Sequence, residues 1–457
     1  MRVQAALGAA VIVLGAAIVG ASAPEQYAAK SAAGVPTFTK DVAPILYANC
    51  VGCHRPGEIG PMSLLSYKEA RPWAKSIRDE VTDGVMPPWH ADPRHGKFAN
   101  DRSLTAEQKD ILARWANGGA PEGDPKDLPA LPKLTEGWQI GEPDAVFQLP
   151  VEYKVPGDGF VEYEYFEIPT NFTEDKWIQA LEVRPGNRAV VHHVIISVRP
   201  PQPERRPAGF RVAAGMEVPP GQSGGGPEPA DGPKRARGVS LFPPPQRLGA
   251  GIGGFAPGTT RLMFEPGAAM LIRAGSTFIV QMHYTTNGTP QTDRTKFGLF
   301  LAKEAPKVEM RMTNLVNGKL DIPAGAPDYP LAAEMTTTTD ITLRSLLPHT
   351  HLRGKSWEYT AIYPDGRTEV ILSVPKYDFN WQTDYVFAQP LRLPKGTRIR
   401  AVAHYDNSTA NKSNPDPKVN VKWGDQTWEE MMFTSVVYSI DGVAPGAVIT
   451  TPPGGGH

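Results

Sequence analysis

Cysteine is nearly absent from this chain, because its 457 residues include only Cys50 and Cys53. Two cysteines cannot build the framework of a disulfide-rich secreted protein. An excess of one charge sign is also missing, since 47 Lys and Arg residues stand against 48 Asp and Glu residues, for a net charge of -1. No basic patch stands out, so this balance argues against a nucleic-acid partner. Pro and Gly are abundant instead, at 47 and 45 residues, which favours a loop-rich and β-rich protein.

The N-terminus carries a short apolar segment. Residues 5–20 form an uninterrupted run of small and apolar residues after Arg2, but a membrane span needs about 20 residues. The positive residue, the apolar run and the Ala-Ser-Ala at residues 21–23 are typical of an export signal. We therefore predict a signal peptide over residues 1–23 and a periplasmic or otherwise exported protein with no stable membrane span after cleavage. Pro24 follows the cleavage pattern directly, so an uncleaved N-terminal anchor is the alternative.

Both cysteines belong to the motif C-V-G-C-H at residues 50–54. C-x-x-C-H is the attachment signature of a c-type haem, in which the thiols form thioethers and the histidine binds the iron. A zinc site is the alternative, but it requires two more ligands nearby. The motif therefore predicts one covalent haem c, attached through Cys50 and Cys53 and ligated by His54.

Residues 36–125 are predicted to form a small all-α domain around this haem. Residues 38–49 have helical apolar spacing and lead into the haem motif. A capping box at Thr105 begins a later helix, which Gly118 ends. The region resembles a class I cytochrome c, whose first and last helices pack beside the haem.

The sixth haem ligand is expected between those two helices. Met86 is the preferred candidate, because a thioether suits haem iron and raises its reduction potential. Met62 lies only eight residues after His54, which leaves little room. His90 is the rival to Met86 and would give a lower potential.

The remainder of the chain is predicted to form β-structure. Residues 126–148 are predicted to be a linker, and they are followed by two β-domains at 149–308 and 325–445. A faint internal repeat supports two domains, because a Gly eight residues before a His-Tyr pair occurs twice, ending at His283 and at His404. The Pro- and Gly-rich insertion at residues 200–260 is predicted to be a mobile surface loop.

Five histidines outside the haem motif fall in three strand-like motifs: His192 and His193, His283, and His349 with His351. On a regular strand, residues i and i+2 point to one face, so the His-Thr-His pair can chelate one metal. An adjacent pair such as His-His needs a bulge or a strand end. His283 is expected on the face opposite the apolar residues of its strand.

A methionine follows these motifs within Glu-Glu-Met-Met at residues 429–432. Imidazole suits copper, zinc, iron and nickel, whereas a thioether is a soft ligand that favours copper. No carboxylate accompanies the histidines in a zinc-protease or facial-triad pattern. Met431 is the preferred ligand, and Met432 is the alternative.

Residues from about 150 to 440 resemble the copper type II, ascorbate-dependent monooxygenases, such as peptidylglycine α-hydroxylating and dopamine β-monooxygenases. The order of motifs matches theirs: His-His, Gln-x-His-Tyr, His-Thr-His, then acidic-acidic-Met. The resemblance implies two jelly-roll-like β-sandwiches with two coppers that face each other across a water-filled cleft. The implied ligands are His192, His193 and His283 for an electron-transfer copper, and His349, His351 and Met431 for the catalytic, oxygen-binding copper.

The chain departs from the peptide-hydroxylating enzyme at the substrate anchor. That enzyme has an Arg two residues before His-Thr-His and a Tyr four residues after the ligand Met, whereas this chain has Leu347 and Ser435. Both cysteines of this chain belong to the haem motif, so none is left to form the disulfides of that enzyme. A peptide-glycine substrate is therefore not expected. His404 is expected to be a hydrogen-bonded sandwich residue, since the family does not use that position as a ligand.

The sequence as a whole predicts an exported haem- and copper-dependent monooxygenase with a cytochrome c domain followed by two all-β sandwiches. It would hydroxylate a C–H bond of a small organic substrate with O2, and the fused haem would pass on electrons from an external donor. The alternative is a periplasmic electron-transfer or copper-binding protein without oxygenase activity.

Overall fold

The structure is a computed structural model, and it is mostly β-sheet with few helices, compatible with β-sandwich domains. It describes residues 34–135, 137–202, 209–213, 249–257, 259 and 261–448. The predicted signal peptide lies outside the described residues, as does most of the 200–260 insertion. No helix among the described residues is both long and apolar enough to cross a membrane.

The helices that position the cysteine motif lie in the N-terminal part of the chain. They are α1 (Ala43–Asn49), α2 (Tyr67–Ala70), α3 (Ala74–Thr82) and α4 (Ala106–Asn117), with a π-helical turn at Phe38–Val42 and 3-10 turns at Arg71–Trp73 and Pro125–Asp127. α4 begins at the predicted capping box, because the Thr105 side chain accepts from the Gln108 N–H and the Gln108 side chain accepts from the Thr105 N–H. Phe38, Leu112 and Trp115 belong to one buried apolar cluster that holds α4 against the first helical turns.

The described residues that follow the helices form strands. They are β1 (Ala145–Gln148), β2 (Tyr153–Val155), β3 (Glu164–Pro169), β4 (Lys176–Arg184), β5 (Val191–Arg199), β6 (Phe210–Val212), β7 (Ala250–Phe255), β8 (Arg261–Met263), β9 (Ala268–Ile272), β10 (Thr277–Tyr284), β11 (Gln291–Asp293), β12 (Lys296–Leu301), β13 (Val308–Val316), β14 (Asp321–Ile322), β15 (Tyr329–Thr337), β16 (Ile341–His349), β17 (Gly354–Ile362), β18 (Thr368–Val374), β19 (Tyr385–Leu393), β20 (Arg398–Tyr405), β21 (Val421–Lys422) and β22 (Phe433–Ile440).

Three larger sheets organise these strands. A nine-stranded sheet has the order β1-β12-β4-β9-β13-β22-β16-β19, with β8 paired to β4. A four-stranded sheet, β3-β10-β5-β7, accompanies its first half, and a five-stranded sheet, β18-β17-β20-β15-β6, accompanies its second half. Parallel pairing of β9 with β13 joins the two halves into one continuous sheet.

Each half has its own apolar core. In the first half, Phe278 and Val280 of the four-stranded sheet share a buried cluster with Leu181 and Leu299 of the nine-stranded sheet. In the second half, Tyr359 and Ala401 of the five-stranded sheet share a cluster with Leu343 and Val436. A core built from the facing sides of two sheets is the arrangement of a β-sandwich.

Two boundaries differ from the sequence expectation. The predicted linker at 126–148 includes four residues of a strand, because β1 pairs with β12 over residues 145–148. The 200–260 insertion is not all loop, because β6 leaves the first half and pairs with β15 of the second, with Phe210 opposite Thr337. Backbone hydrogen bonds with a distant strand carry no local sequence signal, which is why the sequence did not indicate β6.

Candidate metal centre

The first three histidines come together at a bulge between β5 and β10. His193 lies directly opposite His283, but the next residue of β10, Tyr284, lies opposite Val191. His192 is therefore the extra residue of the bulge, which confirms the irregularity that an adjacent His-His pair requires. The bulge turns His192 towards the partner strand, and its ring centroid lies 5.2 Å from that of His283.

These three side chains have the geometry of a metal site. One ligand atom from each of His192, His193 and His283 lies within 4.8 Å of the others. Among the described residues, His192 Nδ1, His193 Nε2 and His283 Nδ1 are buried without a hydrogen-bond partner. A buried polar atom left unpaired costs about 1–3 kcal/mol, and a metal ion would satisfy all three.

The strand face of His283 is as predicted. Phe278, Val280, Met282 and Tyr284 all lie in the first apolar core, so His283 points to the other side of the sheet. That side is not open, because the His283 ring packs against Tyr163 at 4.8 Å between centroids. The remaining nitrogen, Nε2, lies 3.1 Å from the Thr427 hydroxyl of the second half.

The second histidine pair lies where β16 ends. His349 is the last residue of this strand, and His351 lies beyond it, in the connection to β17. The pair is therefore not on a regular strand as the i, i+2 argument assumed, although the two ring centroids lie only 5.1 Å apart. Thr350, between them, is fully buried, and its backbone N–H donates to the Tyr377 hydroxyl at 3.1 Å.

The two histidine groups adjoin one another. The ring centroids of His193 and His349 are 5.9 Å apart. The Phe379 ring contacts both groups, at 4.9 Å from the His192 centroid and 6.0 Å from that of His351. The family resemblance implies two sites across a water-filled cleft. Here the rings of the two histidine groups instead lie close together and contact the same phenylalanine ring.

Burial keeps all five imidazoles uncharged. It lowers the pKa of His192 and of His349 to about 4. The pKa values of His193, His283 and His351 lie well below the usual value, first because of burial and then because of the neighbouring histidines. A neutral imidazole keeps a lone pair for a metal, so the centre is ready to bind a cation near pH 7.

The acidic-acidic-Met segment is tied to the His-Thr-His segment by a buried carboxylate. Glu430 accepts hydrogen bonds from the backbone N–H groups of His351 and Arg353, both at 2.7 Å, and of Met431 at 3.2 Å. Met431 is partly buried at the edge of the second core, whereas Met432 is a fully buried core residue. Met432 is therefore committed to the core, whereas Met431 packs against the core and is only partly enclosed.

Gln382 is a site residue that the sequence did not indicate. Its Oε1 lies 2.6 Å from His349 Nδ1, and its side chain is buried. Position 382 is 33 residues from His349 and belongs to no recognisable motif. By contrast, His404 bonds Asp328 at 3.0 Å at the surface, in agreement with its expected role outside the metal centre.

The cysteine motif also fits the group that its sequence predicts. Cys50 and Cys53 are free thiols, and burial raises the pKa of Cys50 to about 12. His54 Nδ1 is buried without a hydrogen-bond partner among the described residues. A Cβ at Gly60 would lie 2.6 Å from that nitrogen, so glycine leaves the space the imidazole occupies. Two thiols and one imidazole in this local arrangement are the donor set of a c-type haem.

The two candidates for the sixth haem ligand differ in their surroundings. Met86 is half-buried in the loop after α3. Burial lowers the pKa of His90, and the charge of Asp378, in the segment before β19, acts in the opposite direction.

The helical region is anchored to both halves of the β-structure. Arg188, four residues before His192, forms a 3.1 Å ion pair with Glu58, which follows the cysteine motif. On the other side, the Asn100 amide donates to the Asp384 carbonyl at 2.6 Å. The Trp89 ring packs on Tyr385 at 5.0 Å between centroids. The helical region is therefore held against both halves of the β-structure.

No protein-family model matches this chain, and no curated protein matches it. The solved structures with some similarity include T=1 particles derived from infectious bursal virus, at 10% identity over 67% of this chain and 72% of that chain, with a TM-score of 0.18. A VP2 subviral particle of infectious bursal disease virus shows 10% identity over 67% of this chain and 75% of that chain, with a TM-score of 0.19. Cocosin, a coconut allergen, shows 8% identity over 66% of this chain and 86% of that chain, with a TM-score of 0.12. Similarity at this level carries no argument about fold or function.

Proposed function

We propose that this protein is an exported haem- and copper-dependent monooxygenase that hydroxylates a C–H bond of a small organic substrate with O2. The overall change consumes O2, two electrons and two protons, and it yields the hydroxylated product and water. Electrons enter from an external donor through a single covalent haem c. The N-terminal helical region acts as a cytochrome c domain, and the two β-sandwiches carry one copper each.

One observation carries the proposal: five neutral histidines from three separate motifs, four of them buried and His192 half-buried, meet in one place. Four of their nitrogens are buried without hydrogen-bond partners among the described residues: His192 Nδ1, His193 Nε2, His283 Nδ1 and His351 Nε2. Each unpaired nitrogen costs about 1–3 kcal/mol. Metal binding recovers that cost.

The donor set favours copper over zinc or non-haem iron. Glu430, the carboxylate next to the second histidine pair, is occupied by three backbone N–H groups and does not serve as a ligand. The remaining soft donor is Met431. Imidazoles with a thioether, and without a carboxylate, suit copper.

When bound, copper supplies one-electron chemistry with O2, and the haem supplies electrons at a potential set by its sixth ligand. The protein contributes position and exclusion of water. Glu430 holds His351 and Met431 in register through their backbone, and Phe379 covers the histidines with an apolar ring. Cys50, Cys53 and His54 fix the haem in a region that Arg188 and Asn100 attach to the two sandwiches.

The substrate class follows from the strand pair beside His349. Leu347 of β16 and Ser435 of β22 lie directly opposite each other. These are the positions where the resembling peptide enzyme carries a cationic and a phenolic anchor for a carboxylate. An apolar side chain and a small hydroxyl supply no positive charge to hold a carboxylate. We therefore propose a small organic substrate without a carboxylate near the reacting carbon.

The direct test is stoichiometry of turnover. Reduced protein, loaded with haem and copper, is mixed with a panel of small organic compounds, and O2 consumption and hydroxylated product are measured together. The proposal predicts one product per O2, and loss of product in Met431→Ala while haem reduction persists. Unchanged hydroxylation in Met431→Ala would contradict the assignment of Met431 as a ligand of the catalytic copper. A variant without haem that turns over at the full rate with the same donor would remove the electron route.

A second function is favoured by the closed packing of the centre. Phe379 contacts three of the five histidines, His192, His193 and His351, which suits a buried copper that only exchanges electrons. A copper-binding electron carrier would bind copper and exchange electrons with the haem, but O2 uptake would not yield a hydroxylated product.

A further inference from the structure

The orientation of the Gln382 amide is fixed by two hydrogen bonds. Its Nε2 donates to the Phe379 carbonyl at 3.1 Å, and its Oε1 faces His349 Nδ1 at 2.6 Å. Because a carbonyl oxygen can only accept, the amide nitrogen must be on the Phe379 side. The oxygen must then be on the His349 side.

This orientation determines the tautomer of His349. An amide oxygen cannot donate, so the proton of the 2.6 Å contact must reside on His349 Nδ1. The lone pair of the neutral ring is then on Nε2. His351 is in the same state, because its Nδ1 faces the Glu429 carbonyl at 3.2 Å and its Nε2 has no partner among the described residues.

The two histidines differ in what holds them. The partner of His351 is a backbone carbonyl, which no substitution at position 429 removes. The partner of His349 is a side chain. The backbone that carries it is held from the first sandwich, since the Thr259 hydroxyl donates to the backbone carbonyl of Gln382 at 3.0 Å. Substitution of Gln382 can therefore change which ring nitrogen of His349 carries the lone pair, whereas substitution of Glu429 cannot do so for His351.

We propose that Gln382 is a positioning residue that fixes His349 as the Nδ1–H tautomer and so presents Nε2 to the second metal position. The inference rests on the proposed function for the identity of the metal, but not for the tautomer itself. Partners of this kind orient the ligand ring and raise its basicity, and their loss lowers metal affinity by about 10–100-fold.

The experiment uses the full-length protein in three forms: wild type, Gln382→Leu and Gln382→Glu. The tautomer of His349 is read in the metal-free protein from the nitrogen chemical shifts of its imidazole, assigned with His349→Gln. Copper(II) affinity at each position is then measured by titration, with the signal of the His192, His193 and His283 group as the internal control. Thr342→Val, which removes a distant, part-buried hydroxyl contact with Asp441, serves as the matched control variant.

The proposal predicts the Nδ1–H tautomer in the wild type and in Gln382→Glu, whose carboxylate still accepts the hydrogen bond. In Gln382→Leu the tautomer is no longer unique, and the affinity of the second copper falls by about 10–100-fold while that of the first is retained. An Nε2–H tautomer in the wild type would overturn the proposal even if both variants fail to fold. Unchanged tautomer and affinity in Gln382→Leu would also overturn it. If the wild type shows the Nδ1–H form but binds no copper, the proposed function fails while the positioning role stands.

Discussion

His193 and His349 lie in different sandwiches, yet their rings meet with 5.9 Å between centroids. His193 belongs to β5 of the four-stranded sheet, and His349 ends β16 of the nine-stranded sheet. Each of these two rings therefore packs against the other where the sandwiches meet. The candidate metal centre is therefore formed by residues of both sandwiches, with its two proposed metal positions side by side.

The lowered histidine pKa values predict acid sensitivity of the metal-free protein. The pKa of His192 and of His349 is about 4 in the folded chain, against 6.5 for an ordinary histidine. Between these values the unfolded chain binds more protons, so the stabilising effect of these neutral imidazoles is complete above 6.5 and is lost as the pH falls towards 4. The free energy of unfolding should fall by about 1.4 kcal/mol per pH unit for each histidine.

Urea unfolding of the metal-free protein between about pH 7 and about pH 5 measures this slope. His192→Leu should reduce the slope by the share of one histidine. Buried carboxyl groups with raised pKa values, such as Glu430 at about 7, contribute a slope of the opposite sign, so the comparison with the variant is decisive. A slope in His192→Leu equal to that of the wild type would contradict a buried neutral imidazole at position 192.

Glu430→Gln should loosen the second histidine pair. The wild-type carboxylate accepts from the N–H groups of His351, Arg353 and Met431, and an amide in its place presents N–H groups to some of these donors. We expect a loss of about 2–4 kcal/mol in the free energy of unfolding. Affinity for the second copper should fall with it.

Chemical denaturation and copper titration measure the two effects. Glu369→Gln, which removes a surface ion pair with Arg367, is the matched control and should change stability by less than about 1 kcal/mol. If Glu430→Gln behaves as the control does in both assays, Glu430 does not hold the two segments together.

Docking of the helical region predicts an effect on electron transfer. The Phe98 ring packs on Tyr385 and Phe387, at 5.5 and 5.4 Å between centroids, and the Asn100 side chain bonds the backbone of Asp384 and Val386. Phe98→Ala with Asn100→Ala should free this segment and lengthen the path from the haem. Electron transfer within one chain, followed by rapid-mixing absorbance after haem reduction, should slow several-fold.

Haem and copper content should be unchanged in that double variant. Trp73→Ala, at an exposed position of the helical region, is the control and should transfer electrons at the wild-type rate. An unaltered rate in the double variant would mean that the contacts of residues 98 and 100 do not set the electron path.

The identity of the sixth haem ligand predicts opposite behaviour of two variants. A Met thioether on haem iron raises the reduction potential. Met86→Ala should therefore lower the potential and open a coordination position to added cyanide or imidazole, whereas His90→Ala should do neither. Redox titration with absorbance spectroscopy decides between them, and the reverse pattern would assign the ligand to His90.

Sequence reasoning predicted the local features of the site well, because each depends on a few adjacent residues. The need for a bulge at His192 followed from two neighbouring histidines on one strand, and the opposite face of His283 followed from alternation of apolar residues. The capping box at Thr105 was predicted for the same reason.

The features that the sequence missed depend on distant segments. Gln382 meets His349 across 33 residues, and β6 pairs with a strand of the other half. His351 lies past the end of β16, so strand alternation did not apply to it. There its backbone N–H donates to the Glu430 carboxylate. Contacts of this kind are set by tertiary packing, and single-sequence patterns carry no record of them.

The most direct test of the account is the haem and copper content of protein matured with haem and titrated with copper(II), in the wild type, His192→Ala and His349→Ala. The account predicts one haem and two coppers per chain in the wild type. It also predicts one copper fewer in each variant, with the copper signal of the other position retained. One haem with no stoichiometric copper in the wild type would contradict it.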